Sequence, residues 1–200
     1  MYCIIPQKEV LYMDFFKFLL LQQTNGNDWK PKFSKSNKYK NWIAILDRKT
    51  CPECRSNHGT VYLIDEVVKK EPPIHFYCRC SIPIMETVKS GTATINGIDG
   101  ADWTLKYSGN LPDYYISSYE ASLVGWKHGK WPSNFVPGKT ITAGIYKNFD
   151  GHLPQATGRI WYEADINYDG GYRGDERIVY SNDGLVFVTY NHYLTFEEIV

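Results

Sequence analysis

No cysteine follows Cys80 in this 200-residue chain, and four of its five cysteines crowd into residues 51–80. That distribution excludes a disulfide framework spread over a secreted fold and favours a local metal site. Cys3 stands apart and is read as incidental. Long apolar runs are also missing. The richest, FFKFLLL at residues 15–21, contains a lysine and falls well short of the ~20 apolar residues that a membrane-spanning helix requires, so no membrane span is expected. Nor is a secretory signal expected: no basic cluster follows Met1, Asp14 sits beside the apolar run, and no small-residue cleavage site comes after it. Net charge is absent too, with 22 Lys+Arg against 22 Asp+Glu. The balance hides an asymmetry. Residues 1–106 hold 15 basic and 11 acidic side chains, and residues 107–200 hold 7 and 11. The halves are therefore +4 and −4, which points to two modules. An acidic module that handles a polyanion must gather its positive field locally.

What is present is ample core material. A content of 43% apolar and 16% aromatic residues excludes wholesale disorder and suits one large or two small domains. Residues 8–23 place Val10, Leu11, Phe15, Phe18 and Leu19 at helical spacing, and TNGND ends the run. A lone amphipathic helix of this length is marginal in water and needs a surface to pack on. The Lys-rich stretch from Lys30 to Lys40 reads as a solvated connector.

Residues 42–84 are organised around sulfur. Cys51 and Cys54 form a C-x-x-C turn, answered by His75, Cys78 and Cys80, and this spacing can close a tetrahedral zinc site. Cys51, Cys54, His75 and Cys78 are the first choice of ligands, with Cys80 as the alternate. His58 is less favourably placed. The Gly59 turn and VYLI at residues 61–64 suggest a short hairpin between the ligand pairs. Such a metal is expected to be structural, clipping a block too poor in core to fold alone. The runs WIAILDRKTCPEC and PPIHFYCRC resemble the C-terminal signature of phage Mu F-like head morphogenesis proteins. The long helical region that precedes it in those proteins is almost absent here, so the resemblance implies a leftover or reused packaging module. Proteins of that kind can carry toxin domains at their C-termini.

Residues 85–97, METVKSGTATING, are small, polar and turn-rich, and the module boundary is expected there. Beyond it, IDGADWTLKYSG reads as a helix. ISSYEASLVGW gives a second, with a capping box at Ser117 and Glu120 and a stop at Gly125. PGKTITAGIYKNFDGHLP reads as loop. Strands then follow: RIWYEADIN, RIVYS and LVFVTY around an N-D-G turn at residues 182–184, and LTFEEI. The expected fold class is α+β, with helices packed on one face of an antiparallel sheet. Trp161, Ile166, Ile178, Val179, Leu185 and Phe187 are expected in the core, and His128 and His152 are read as exposed bystanders.

The stretches GNLPDYYIS, VGW, VPGK, EADINY, ERIVYS and NHYLTF stand in the order and at nearly the spacing of the barnase-like microbial ribonucleases, from about residue 98 to Val200. The resemblance implies a helix-on-sheet ribonuclease fold behind the small zinc-clipped module. The chain then divides into a helix and basic linker (1–41), a phage Mu F-like zinc-binding segment (42–90) and a ribonuclease domain (91–200). Residue by residue, it implies Glu163 as general base, His192 as general acid, and Arg173 and Arg177 as phosphate-binding arginines. The guanine-reading loop falls on Lys147, Asn148, Phe149 and Asp150; Tyr193, next to the implied acid, reads from its position as either a base-stacking ring or a structural tyrosine. Departures are visible: Asp150 replaces a glutamate, Phe149 an arginine, Ser118 a helix-borne lysine and Gly144 its acidic neighbour. The implied activity is metal-independent, guanine-preferring cleavage of single-stranded RNA through a 2′,3′-cyclic phosphate, with DNA spared for want of a 2′-OH. Zinc is the implied structural cofactor and a barstar-like immunity protein the implied inhibitor. A toxin secreted or delivered without a signal peptide, or carried on a virion, is the implied setting. The competing expectation is a phage-head remnant or RNA-binding protein with little or no nuclease activity.

Overall fold

The computed structural model describes residues 33–200. Cys3 and the helix expected over residues 8–23 lie outside the described residues. The strands, in chain order, are β1 (Phe33–Asn41), β2 (Val61–Leu63), β3 (Ile84–Val88), β4 (Tyr115–Ser117), β5 (Thr140–Tyr146), β6 (Trp161–Asp165), β7 (Arg177–Ser181), β8 (Val186–Thr189) and β9 (Glu197–Ile199). The α-helices of the described residues are short: α1 (Pro52–Asn57), α2 (Ala101–Ser108) and α3 (Ser118–Leu123). The nine strands of the described residues join one sheet in the order β2-β1-β3-β9-β8-β7-β6-β5-β4.

The α+β class holds, but the sheet is mixed rather than antiparallel. The β3–β9 and β4–β5 pairs are parallel, and the other ladders are antiparallel. Four local expectations are corrected. The basic stretch is a strand from residue 33 to 41, not a connector. Its lysines face away from the core or find partners: Lys35 pairs with Glu86, and Lys40 Nζ donates to the Glu66 carbonyl at 2.7 Å. The turn-rich run after residue 84 begins with β3. VYL is not half of a local hairpin, because β2 pairs with β1, Tyr39 opposite Leu63. Residues 140–146, read as loop, form β5, whose irregularity between Thr142 and Gly144 masks the strand pattern.

Period-2 alternation divides the side chains of β6 to β8 between two faces. Ala164, Ile178, Val186 and Val188 join Ala101 and Leu105 of α2 on one face. Trp161, Val179 and Phe187 lie on the other with Leu153 and Phe196. Tyr39, Val61 and Met85 belong to that second cluster, and the Tyr39 and Phe187 rings meet edge-on at 5.6 Å. The upstream strands and the downstream sheet thus share a core. The expected core residues are buried, Leu185 partly. At α3 both halves of the capping box form: Ser117 Oγ accepts from Glu120 N at 3.1 Å, and Glu120 Oε2 accepts from Ser117 N at 3.0 Å. Gly125, at φ +94°, ends that segment in a conformation that disfavours any side chain.

Candidate active site

Strand β6 places Trp161, Glu163 and Asp165 on one face, because residues two apart in a strand point the same way. Trp161 anchors the face in the core, leaving the two carboxylates to do polar work. Asp165 is 2% exposed and Arg177 6% exposed, so neither charge is tolerable unpaired. Each supports the other. Arg173 Nε and Nη2 donate to the two Asp165 oxygens at 2.6 and 2.8 Å, and Arg177 Nε lies 2.9 Å from Asp165 Oδ1. Arg177 sits opposite Asp165 in the β6–β7 ladder, and its Nη1 donates to the Gly174 and Glu176 carbonyls at 2.6 and 2.7 Å. The hydrogen bonds that Arg173 donates to the Asp165 carboxylate raise the arginine pKa. Two guanidiniums around one carboxylate leave a net positive charge, held rigidly.

Glu163 is half-buried, and Tyr193 Oη donates to its Oε2 at 2.6 Å. Burial, and then that carboxylate, push the Tyr193 phenol far up, so it stays a donor at neutral pH. The Tyr193 ring stacks on Tyr146 at 5.2 Å. His192 is exposed and adjoins Tyr193, their ring centroids 4.9 Å apart. Both residues hold left-handed backbone, φ 53° and 67°, a conformation that costs energy and persists only where the surroundings fix it. Here they do: His192 N donates to the Asp175 carbonyl, Tyr193 N to Thr189 Oγ1, and Thr195 N to Asn191 Oδ1, at 3.2, 3.0 and 3.0 Å.

The loop after β5 is tied by Asn148, at φ 44°, whose side chain both donates to and accepts from the Leu153 backbone at 2.9 and 3.0 Å. Phe149 is 86% exposed, with Lys147 Nζ 5.6 Å from its ring centroid. Asp150 is exposed. Tyr146 registers both ends of this region: burial first, then the negative fields of Asp150 and Glu163, push its phenol up to about 12. Asp165 and Tyr146 were missed from sequence, although the two-residue step from Glu163 to Asp165 was the available signal. Ser118 opens α3, and Gly144 faces Glu163 across the β5–β6 ladder, so the second departure adjoins the carboxylate. A cleft of about 350 Å³ beside Tyr114, Lys139 and Tyr168 contains none of Glu163, Arg173, Arg177 and His192.

The cysteine block gathers soft ligands at metal-binding distances. Cys51, Cys54 and His75 form one group with ligand atoms within 4.8 Å of one another, and Cys54, Cys78 and Cys80 form another. Cys54 Sγ lies 3.3 Å from His75 Nε2 and 3.8 Å from Cys78 Sγ. Tetrahedral ligands on zinc–sulfur bonds of about 2.3 Å would stand roughly 3.8 Å apart. His75 Nδ1 donates to the Phe76 carbonyl at 2.8 Å, which turns the Nε2 lone pair toward the cysteines. All four cysteines here are free thiols. The donor set fits zinc. His58 is not a ligand candidate, since its Nδ1 accepts from Ala44 N at 3.0 Å.

A family described as "Phage Mu protein F like protein" matches residues 20–83, and a family described as "ribonuclease" matches residues 100–200. A protein named Ribonuclease from Heyndrickxia coagulans is 46% identical over 109 residues, covering 54% of this chain and 99% of the relative. One from Bacillus intermedius is 41% identical over 131 residues, covering 58% and 80%, and one from Bacillus pumilus is 46% identical over 109 residues, covering 54% and 67%. With a carboxylate, an imidazole and two anchored guanidiniums in the half that matches, the chain belongs to the ribonuclease family, its residues 100–200 preceded by a phage Mu F-like segment.

Proposed function

We propose that this ribonuclease is a guanine-preferring endonuclease that cuts single-stranded RNA by transphosphorylation, with Glu163 and His192 as base and acid. The observation that carries the reading is the pair of arginines locked on Asp165 beside the Tyr193-bound Glu163. Glu163 takes the proton from the ribose 2′-OH, and the 2′-oxygen bonds to phosphorus. The bond from phosphorus to the 5′-oxygen breaks, and protonated His192 hands its proton to that oxygen. Arg173 and Arg177 receive the charge that builds on the non-bridging oxygens. The 2′,3′-cyclic phosphate is then hydrolysed with the roles reversed: His192 takes a proton from water and Glu163 returns one to the 2′-oxygen. No step requires a metal.

Guanine reading is assigned to the loop of Lys147, Asn148, Phe149 and Asp150, where backbone N–H groups meet the base oxygen and the Asp150 carboxylate accepts from its ring and exocyclic nitrogens. Dinucleotides with guanosine on the 5′ side are expected to be cut fastest, giving cyclic phosphate first, with DNA untouched. Asp150→Ala should flatten the base preference without lowering the melting temperature, since Asp150 is exposed. Equal rates on all four bases in the parent would sink the assignment.

Zinc is assigned to the upstream block, held by Cys51, Cys54, His75 and Cys78, with Cys80 adjacent. Its contribution is to folding, because unfolded ligands bind metal poorly. Purified protein should carry about one zinc per chain, as a single closed site requires, and Cys54→Ser should lose it. A metal-free chain with unchanged melting temperature would refute the site. No helix of the described residues is long and apolar enough to cross a membrane. A toxin silenced in its maker by an acidic inhibitor covering the arginine pair is the setting this reading supports. The alternative, a phage-head remnant that binds RNA, draws on the missing charges at Ser118 and Gly144 and predicts binding without cleavage.

A further inference from the structure

Residues 33–88 reach directly into the two loops just described. Val61 N donates to the His152 carbonyl at 2.8 Å. Gly59 sits at φ +89°, so close to the other loop that an added Cβ would stand 2.2 Å from the Leu194 carbonyl oxygen and 3.3 Å from His152 Nδ1. His152 joins the loops to each other: its Nδ1 lies 3.3 Å from the Tyr193 carbonyl, which can only accept, so that nitrogen carries the proton. The corner that presents Gly59 is itself fixed. Gly59 N donates to the Trp42 carbonyl at 2.9 Å, and His58 accepts from Ala44 N. On the far side, Leu153 is buried in the core shared with Tyr39, Val61 and Met85. His152, expected to be an exposed bystander, is half-buried at the junction of three segments.

We propose that Gly59, Val61 and His152 form an intramolecular brace by which residues 33–88 position the loops at 147–153 and 190–195, making the upstream block a working part of the nuclease. The inference rests on the assignment of Glu163, His192 and the base-reading loop above. Its physical basis is leverage over short distances. The Tyr193 and Leu194 carbonyls follow His192 directly, and the Tyr193 hydroxyl holds Glu163, so a shift of this backbone moves acid and base together. Nothing wider than glycine can occupy position 59 without displacing Leu194, and no residue lacking a donor at the Nδ1 position can replace His152. These are positioning residues, since none has been placed in contact with the reacting atoms.

The test uses the full chain. Gly59→Ala, His152→Leu and His152→Asn are compared with Glu163→Gln and His192→Ala on a guanosine-first dinucleotide, with kcat and KM measured separately and folding checked by thermal melting. Gly59→Ala and His152→Leu are expected to lower kcat about tenfold, in line with the steep cost of small misplacements, with a smaller change in KM. His152→Asn, whose amide offers a donor near the Nδ1 position, should restore most of the loss. A folded His152→Leu with parental kcat, or a His152→Asn no better than it, overturns the brace while the Glu163→Gln and His192→Ala losses leave the site assignment standing. If those two controls keep parental activity, the site assignment falls and the brace falls with it. Should Gly59→Ala fail to fold, the His152 pair decides.

Discussion

His192→Ala and Glu163→Gln should each lower kcat by roughly 10²-fold or more, the scale expected for losing a positioned proton-transfer group. The two groups act in one displacement, so the double variant should cost far less than the product of the single losses. Activity of the parent should be bell-shaped in pH: the base must be ionised and the acid protonated at once. Glu163→Gln removes the acidic limb and His192→Ala the alkaline limb. The geometry makes Glu163 the cleaner experiment. It lies in the β6 ladder opposite Val179 with its carboxylate on Tyr193, so glutamine keeps the strand and a hydrogen bond while removing the base. Unchanged cleavage by a rigorously nuclease-free preparation of His192→Ala would reduce the resemblance to one of fold.

Asp165→Asn should damage stability more than either active-site change. The carboxylate is nearly inaccessible and lies against both Arg173 and Arg177. Removing one partner of a buried ion pair typically costs about 3–5 kcal/mol, because the remaining charge stays desolvated and unmatched. In a chain of this size that corresponds to a fall in melting temperature of roughly 10 °C. A second signature separates this from a generic core defect. The two freed guanidiniums seek an anion, so added phosphate should stabilise Asp165→Asn more than the parent. A variant that melts with the parent, or gains nothing more from phosphate, would show that the pair is not organised by Asp165.

The local chemistry was legible in sequence and the long-range assembly was not, for reasons visible at particular residues. The helix beginning at Ser118 announces itself through its own capping box, and the β7–β8 hairpin through Asn182 to Gly184. Glu163, His192 and the arginines stood out through their order and neighbours, and their roles are those the resemblance implies. FSKSNKYKN, by contrast, buries only Ser36, Tyr39 and Asn41 among the side chains described, and its lysines carry the look of a solvated linker. It becomes a strand because β2 and β3, distant in sequence, pair with its two edges. His152 illustrates the same limit. Neither of its partners, Val61 and Tyr193, is nearby in the chain, and no periodicity could bring them together.

The parallel junction of β3 with β9, Thr87 opposite Glu198 and Val88 opposite Ile199, also governs the order of biosynthesis. Strands β1 to β3 are translated early, yet the neighbour that connects them to the rest of the sheet is translated after every other strand described. Pairings so remote in sequence are slow to form because the intervening chain must be ordered first. On the ribosome, β3 therefore waits with an open edge, and the segment after His192 lacks the anchor that buried Phe196 supplies. A nascent chain has neither a continuous sheet nor a settled loop at residues 190–195 until Ile199 has been added, and the messenger being read is not exposed to the folded ribonuclease before then.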